Sequence, residues 1–360
     1  MDNKTLLKIK EKIILLVPAY NPDEKMIDFI NATSEFFDNI VVVNDGCSEE
    51  YNNIFDKVKD KVILLKHEIN KGKGRALKTG FSYIKENMKE CTGVVTADAD
   101  GQHTCDDVLG CCEDFINNPI KAVFGCRDFY SDTRIPPRSR FGNRLTSRLM
   151  KFFCDIKLSD TQTGLRVLPL SRLEDLIKVE GDRYEYEMNM IFALKDMGTD
   201  WVEHKISVIY IDDNSSSHFN PIKDSIKIYK IFLKFCISSF GSSVLDLIIF
   251  TIASYFLVTK GYLNLKIDGI YVSTAIARIC SGIFNYCVNK IIFVGRSKKT
   301  NRLSGAKYMV VWFVQMMLSA FIVANIYELC PFIHQTIIKI IVDTILFFIS
   351  YKIQQKWVFK

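Results

Sequence analysis

Residues 94–103 read Val-Val-Thr-Ala-Asp-Ala-Asp-Gly-Gln-His, a short apolar run that stops on two carboxylates and a carboxamide. Similar β-rich runs recur at 13–17, 40–43, 62–65 and 122–125, and helical patterns such as 24–37 and 74–88 lie between them. That alternation predicts β-α-β units and a largely parallel sheet. The first runs are apolar on both faces, as strands covered by helices must be. Ligands collect at the carboxyl ends of strands in such sheets, which is where Asp98, Asp100 and Gln102 fall. Hard oxygen donors at this spacing suit Mg²⁺ or Mn²⁺, and an ion held there would bridge a diphosphate. The plainer alternative is an Asp-rich turn with no ligand.

Other strand ends carry weaker signals. Leu16-Val17-Pro18-Ala19-Tyr20-Asn21-Pro22 closes the first run with groups able to cup a base and ribose. Val41-Val42-Val43-Asn44-Asp45-Gly46 places Asp45 to accept hydrogen bonds from such a ligand, although Asp-Gly is also a common turn pair. Asn70-Lys71-Gly72-Lys73-Gly74-Arg75-Ala76 resembles a phosphate-cradling loop opening a helix, but without P-loop spacing, which excludes a nucleoside triphosphatase of that type.

Beyond residue 221 the texture changes. Residues 222–234 interleave Lys223, Lys227, Lys230 and Lys234 with Ile226, Ile228, Tyr229, Ile231 and Phe232, the pattern of a helix lying on a membrane interface. Four apolar segments follow at about 235–258, 270–294, 308–327 and 332–353, each near the length that spans a hydrocarbon core. Basic residues fill the 295–307 loop (Arg296, Lys298, Lys299, Arg302, Lys307) and the tail (Lys352, Lys356, Lys360), whereas 328–334 has none. The positive-inside rule then puts loop, tail and first domain on the cytoplasmic side. Asn289-Lys290-Ile291-Ile292-Phe293 after the second segment is echoed by Gln355-Lys356-Trp357-Val358-Phe359 after the fourth, implying two similar hairpins. Asp246, Arg278 and Asp343 are costly in such segments unless paired or facing a polar cavity, and are candidates for a lipid-headgroup path.

Composition agrees. A net charge of +6 over 360 residues, without one long basic block, excludes a nucleic-acid-binding tail and favours a membrane surface. Eleven cysteines form no Cys-x-x-Cys pair and read as reduced, mostly buried thiols. The 13–17 run, closed by Pro18, is too short for a signal-peptide core or a span.

Taken in order, the motifs resemble the GT-A catalytic domain of inverting family 2 glycosyltransferases. Within that family the similarity is to the polyprenyl-phosphate branch of dolichol-phosphate mannose synthases and undecaprenyl-phosphate glucosyltransferases. It spans about residues 12–229. Asp98-Ala99-Asp100-Gly101-Gln102-His103 resembles that branch's metal motif, Gly125-Cys126-Arg127 its Gly-x-Arg element, and Asp160-Thr161-Gln162-Thr163-Gly164-Leu165-Arg166 its acceptor-site segment. The resemblance implies a nucleotide-sugar site of Pro18, Tyr20, Asn21, Asp45, Lys73 and Asp98, with metal ligands Asp98, Asp100 and Gln102. It implies Asp100, Arg127, Arg140 and Asp160 as catalytic residues, the two arginines on the lipid phosphate and Asp160 shaping the acceptor site. The sequence departs from its relatives at Pro22, at Asn44, where an Asp-Asp pair would begin, and at Asp212-Asp213-Asn214, ahead of Ser217 and His218. The membrane half resembles the GtrA-like family, linked to handling polyprenyl-linked sugars.

The fold expected is therefore an α/β GT-A domain (1–219), an interfacial helix (220–234) and an all-α four-helix transmembrane domain (235–360). The function expected is metal-dependent inverting transfer of a hexose from UDP-glucose, UDP-GlcNAc or GDP-mannose to undecaprenyl or dolichyl phosphate. A phosphate acceptor is already ionised near neutrality, so it needs orientation and charge screening more than a strong base. Arg127 and Arg140 suit that task because guanidinium binds phosphate bidentately; the run Arg134, Arg138, Arg140, Arg144 and Arg148 equally suits anionic lipid. His103 and His218 read equally as site residues or as satisfied structural histidines. The protein is expected to be integral to the cell membrane, with both termini cytoplasmic and a homo-oligomer possible. The alternative function is a flippase accessory whose soluble half only binds nucleotide-sugar; a processive synthase is excluded by the missing Gln-x-x-Arg-Trp element before the apolar segments.

Overall fold

The computed structural model describes residues 1–129, 137–208, 221–256, 266–294, 303–330, 332–333 and 335–359. The expectations for Arg134, for 212–214, Ser217 and His218, for the basic residues at 296–302 and for Lys360 lie outside the described residues. The chain forms two units, Met1–Ile228 and Tyr229–Lys360.

In the first unit, strands β1 (Ile13–Ala19), β2 (Ile40–Asn44), β3 (Ile63–Lys66), β4 (Gly93–Thr96), β5 (Ala122–Arg127), β6 (Arg166–Pro169) and β7 (Trp201–Ile206) make one sheet, ordered β3-β2-β1-β4-β6-β5-β7. All pairs are parallel except those of β6 with β4 and β5. Every residue of β1 and β2 is buried, whereas the edge strand β3 alternates half-buried with exposed. Pro18 is tolerated in a central strand for a specific reason. Leu16 bonds toward β4, accepting from the Ala97 N–H, so Pro18 faces the same side two residues on, past the last β4 pairing at Thr96. Its missing N–H removes no ladder bond.

Helices α1 (Asn3–Lys12), α2 (Glu24–Thr33), α3 (Asn52–Asp56), α4 (Lys73–Asn87), α5 (Cys105–Asn117), α6 (Pro137–Leu149), α7 (Leu173–Ile177) and α8 (Glu185–Asp196) surround the sheet. Ile9, Met26, Ile30, Val108 and Phe115 from α1, α2 and α5 pack with Leu15, Val17 and Val95 on one face. On the other face α4 lies against Leu16, where a Cβ at Gly80 would come within 2.3 Å of that side chain. Helix α2 stops at Thr33, short of the expected 37, and Phe37 turns back into the core. All eleven cysteines are free, and burial pushes the thiols of Cys111 and Cys112 well above their ordinary value.

The direction of β6 decides the site. An antiparallel strand enters a sheet at the carboxyl ends of its neighbours, and Arg166 opens β6 opposite Thr96, the last residue of β4. The 160–165 segment therefore lies beside the residues that follow β4 and β5. Thr96 Oγ1 seals the junction by donating to the Gly164 carbonyl at 2.8 Å.

The second unit is built from α9 (Pro221–Ser254), which begins in the first unit, α10 (Lys266–Val294), α11 (Ser304–Leu329) and α12 (Gln335–Ile353). The expected interfacial helix is not a separate element: 221–234 is the opening of the continuous helix α9. Among the described residues one segment, Lys234–Ala253 with mean hydropathy 1.8, is long and apolar enough to cross a membrane. Phe235 of α9 packs between Phe347 and Tyr351 of α12, with ring centroids 5.0 and 4.9 Å away. The two echoed sequence endings meet: Phe359 stacks on Tyr286 at 5.9 Å, and the buried Asn289 amide donates to Asn285 Oδ1 (2.6 Å) and Gln354 Oε1 (3.0 Å). Asp246 accepts from Ser281 at 2.9 Å and lies 3.8 Å from Arg278, and Ser319 donates to Asp343 at 2.5 Å. Each of these charged residues in the apolar helices thus has a partner on a neighbouring helix.

Candidate active site

Beyond β4 the chain turns through Asp98, Asp100 and Gln102 at the carboxyl edge of the sheet. Asp100 Oδ1 accepts from the Gln102 N–H at 3.0 Å, and Gly101 takes the left-handed φ of 75° that the turn needs. Asp98 is held between three partners. Lys73 Nζ lies 2.6 Å from its Oδ1, His103 Nε2 lies 3.8 Å from its Oδ2, and Gly164 leaves room for it, since a Cβ there would come within 2.4 Å of Oδ2. Lys73, the first residue of α4, also reaches Glu187 Oε2 of α8 at 2.9 Å. Burial would lower the Lys73 pKa, but the carboxylates of Asp98 and Glu187 outweigh it and hold the ammonium above its ordinary value. Burial would likewise raise Asp98, yet Lys73 and His103 hold its carboxyl well below the carboxylate range. Asp100 is raised, first by burial and then by the negative charge of Asp98. Neither ring nitrogen of the buried His103 has a hydrogen-bond partner among the described residues.

Antiparallel β6 brings the acceptor-site segment to this edge. Asp160, fully buried, binds Arg127 through Nε at 2.7 Å and Nη2 at 3.2 Å, and Arg127 rests over Phe129 at 5.1 Å. Asp160 thus occupies the Nε–Nη2 edge of Arg127, the residue expected to meet a lipid phosphate, and its guanidinium stays 21% exposed. Helix α6 adjoins the same segment, with Asn143 Nδ2 and Ser147 Oγ donating to the Ser159 carbonyl at 2.8 and 3.0 Å. On α6, Arg140, Arg144 and Arg148 line a cleft of about 230 Å³ with Phe141 and Leu145. Arg140 is therefore one of a cationic series on the helix that touches the acceptor segment.

At the ends of β1 and β2 the outcome is mixed. Tyr20 is exposed, and Asn21 adopts φ 49° and donates its N–H to Cys47 Sγ. Pro18 lies at the same strand end. Asn44, which replaces the usual Asp, accepts from the Cys47 N–H at 2.9 Å and so caps its own turn. Asp45, expected to accept from a base or ribose, is 2% exposed, and its oxygens accept from His67 Nδ1 (2.7 Å), the Lys71 N–H (2.9 Å) and the Gly72 N–H (2.8 Å). Sequence reasoning missed Glu187 and His67, and placed Arg166 only as the end of the acceptor-site segment. Arg166, 1% exposed, donates to the Thr163 and Glu187 carbonyls at 3.0 and 2.7 Å and so ties β6 to α8. The acidic-aromatic run Tyr184-Glu185-Tyr186-Glu187 was the available signal.

Among the described residues no three His, Cys, Asp or Glu side chains converge as a self-sufficient metal site. The residues do fit a divalent ion whose shell the substrate completes: Mg²⁺ sites pair one or two carboxylates with substrate phosphates, and the raised Asp100 beside Asp98 is an anionic pair that a cation would relieve.

Opposed charges gather at the carboxyl edge of a mostly parallel sheet beside an arginine-bearing helix, and comparison with known proteins places the chain among the glycosyltransferases. Residues 14–176 match glycosyl transferase family 2, and the chain belongs to that family. Similar proteins include MJ1222 of Methanocaldococcus jannaschii, 30% identical over 230 residues that cover 62% of this chain and 93% of that one. The UDP-N-acetylglucosamine–dolichyl-phosphate N-acetylglucosaminyltransferase of Methanococcus voltae is 30% identical over 254 residues, covering 65% of this chain and 98% of the enzyme. Glucosyl-3-phosphoglycerate synthase of Mycobacterium tuberculosis, solved with Mn²⁺, UDP and glucosyl-3-phosphoglycerate, overlaps 63% of this chain and 79% of that one at 14% identity and TM-score 0.42.

Proposed function

We propose that this glycosyltransferase moves a hexose or N-acetylhexosamine from UDP-GlcNAc, UDP-glucose or GDP-mannose to polyprenyl phosphate, with inversion, at the cytoplasmic face of a cell membrane. The observation that carries the reading is the 30% identity between 65% of this chain and 98% of an enzyme named for dolichyl phosphate. The geometry supports it. Lys73, held above its ordinary pKa, stays charged where a donor diphosphate would meet Asp98 and Asp100. A divalent ion bound by Asp98, Asp100 and Gln102 would neutralise the charge that develops on the leaving nucleoside diphosphate.

In the reaction, an oxygen of the acceptor phosphate attacks the anomeric carbon as the bond from that carbon to the diphosphate oxygen breaks, and the electron pair leaves with the nucleotide. No proton need be taken from a phosphate already ionised near neutrality. The chain's contribution is orientation. Asp160 fixes Arg127, Asn143 and Ser147 fix α6 against the acceptor segment, and the arginines of α6 screen the incoming phosphate beside Phe141 and Leu145, which suit its isoprenoid chain. The second unit is proposed as a GtrA-like membrane domain of four spans, with the termini on the catalytic side.

The test is transfer of radiolabel by the detergent-purified chain from each of the three donors to dolichyl and undecaprenyl phosphate, with Mg²⁺ or Mn²⁺, beside Asp100→Ala. Labelled lipid from one donor, lost in the variant and on chelation, supports the reading. Nucleotide-sugar binding without transfer to either lipid defeats it and favours an accessory role.

A further inference from the structure

His67 follows β3 by one residue and belongs to no motif that pointed to function. Its imidazole is 7% exposed and joins two elements: Nδ1 lies 2.7 Å from Asp45 Oδ1 after β2, and Nε2 lies 2.9 Å from Thr79 Oγ1 on α4. An ionised carboxylate only accepts, so the Nδ1 proton points at Asp45. Asp45 in turn accepts from the backbone of Lys71 and Gly72. The same loop lies flush on the next residue, since a Cβ at Gly46 would come within 2.1 Å of the Ile69 carbonyl carbon. Gly72, at φ 98°, then caps α4, and the first side chain beyond it is Lys73, which reaches Asp98 and Glu187.

We infer that His67 is a positioning residue: held by Thr79 at Nε2, it orients the Asp45 carboxylate toward the 71–72 amides and so fixes the loop that aims Lys73 into the donor-diphosphate site. A histidine needed only to satisfy a buried aspartate would stabilise the fold without acting on the nucleotide. The positioning role rests on the donor-site reading above, whereas the anchoring of the loop does not.

Two measurements on the full-length protein in detergent separate these. The first is amide hydrogen exchange of peptides covering 68–74. The second is titration calorimetry of UDP, and in parallel GDP, in the presence of Mn²⁺. His67→Leu removes the donor to Asp45, while His67→Asn keeps an N–H close to the place of Nδ1. The expected result is exchange at Lys71 and Gly72 at least about tenfold faster in His67→Leu and nucleotide affinity about tenfold weaker, the scale of losing a hydrogen bond to a charged group. His67→Asn restores most of both. Thr79→Val, a near-isosteric change at the far end of the relay, gives a smaller effect of the same sign and serves if leucine at 67 impairs folding. The inference is overturned if Leu and Asn lose nucleotide affinity equally, or if the loop exchanges faster while affinity is unchanged. If the wild type binds neither nucleotide, the donor-site reading falls, and unchanged exchange in His67→Leu would remove the anchoring as well.

Discussion

Gly164 carries no side chain because the Asp98 carboxylate occupies the space one would need. A Cβ there would lie 2.4 Å from Oδ2 and 2.7 Å from both Cγ and Oδ1. Gly164 is not among the residues with positive φ, so alanine meets no backbone strain and the whole cost falls on Asp98. To recover ordinary contact the carboxylate retreats by about 1 Å. That carries it out of the 2.6 Å pairing with Lys73 to beyond normal hydrogen-bond reach. Displacing an active group by this much costs roughly 100-fold in rate. Gly164→Ala should therefore lose about two orders of magnitude in sugar transfer to polyprenyl phosphate, measured under saturating donor and acceptor, with its unfolding transition still cooperative. Gly142→Ala is the control, because a Cβ there meets nothing within 4 Å. It sits inside α6, where alanine gains up to about 1 kcal/mol over glycine, and should leave the rate unchanged. A Gly164→Ala enzyme within threefold of wild type would refute the claim that Asp98 must hold this position.

Asp160→Asn leaves the Arg127 guanidinium, 21% exposed, without its buried counter-charge; a loss of about 3 kcal/mol in unfolding free energy is expected, read from denaturant titration. Asn289→Leu removes two amide bonds from a fully buried position in the second unit and should cost about 1–3 kcal/mol, seen as a lower thermal midpoint. Asp98 gives a pH dependence: its native carboxyl lies below the unfolded value of 3.8, so the unfolded chain takes up the proton first as pH falls. The Asp98 contribution is complete above about pH 5, begins to be lost as pH drops through the unfolded value, and is gone only below the lower native one. Asp100, raised by burial and by Asp98, works in the opposite sense. Thermal midpoints followed down in pH should fall less in Asp98→Asn than in wild type; parallel curves would remove the Lys73–Asp98 pair as a stabilising contact.

The sheet and the acidic turn after β4 were legible because each rests on local pattern: apolar runs in β1, β2, β4 and β5, and carboxylates directly after β4. What local pattern does not encode is strand direction. Arg166-Val167-Leu168-Pro169 is too short to announce β6, and nothing in it says that the strand runs antiparallel, which is the fact that carries Gly164 to Asp98 and Asp160 to Arg127. Glu187 escaped for a related reason, since its partner Lys73 lies on a different helix far earlier in the chain. Asp45 was legible as a polar residue at a strand end, but which partner claims such a carboxylate is decided by burial, and here the claimant is His67. The apolar segments gave four long helices, while the break expected before residue 235 is absent because nothing in 221–234 interrupts a helix that has already begun at Pro221.

Charge balance at the Asp98 edge carries one consequence further. Lys73 is shared by Asp98 and Glu187, and Arg166 faces Glu187 at 4.0 Å, so two cations stand against the three carboxylates of Asp98, Asp100 and Glu187. The Arg127–Asp160 pair is neutral by itself. A donor diphosphate therefore approaches an edge that is already negative, and its binding is unfavourable unless further positive charge enters with it. A divalent cation meets the converse condition, two partly buried carboxylates whose remaining ligands must come from phosphate oxygens. Each then improves the site for the other, and linkage requires the two effects to be equal. The Mn²⁺ affinity, followed by the loss of the free-ion paramagnetic resonance signal, should rise on adding the cognate nucleoside diphosphate by the same factor as nucleotide affinity rises on adding Mn²⁺. A factor of about 10 corresponds to a coupling of about 1.4 kcal/mol, within the usual range for linked sites. Independent binding of the two would mean that the diphosphate needs no ion beside Lys73, and Asp98 and Asp100 would then be structural.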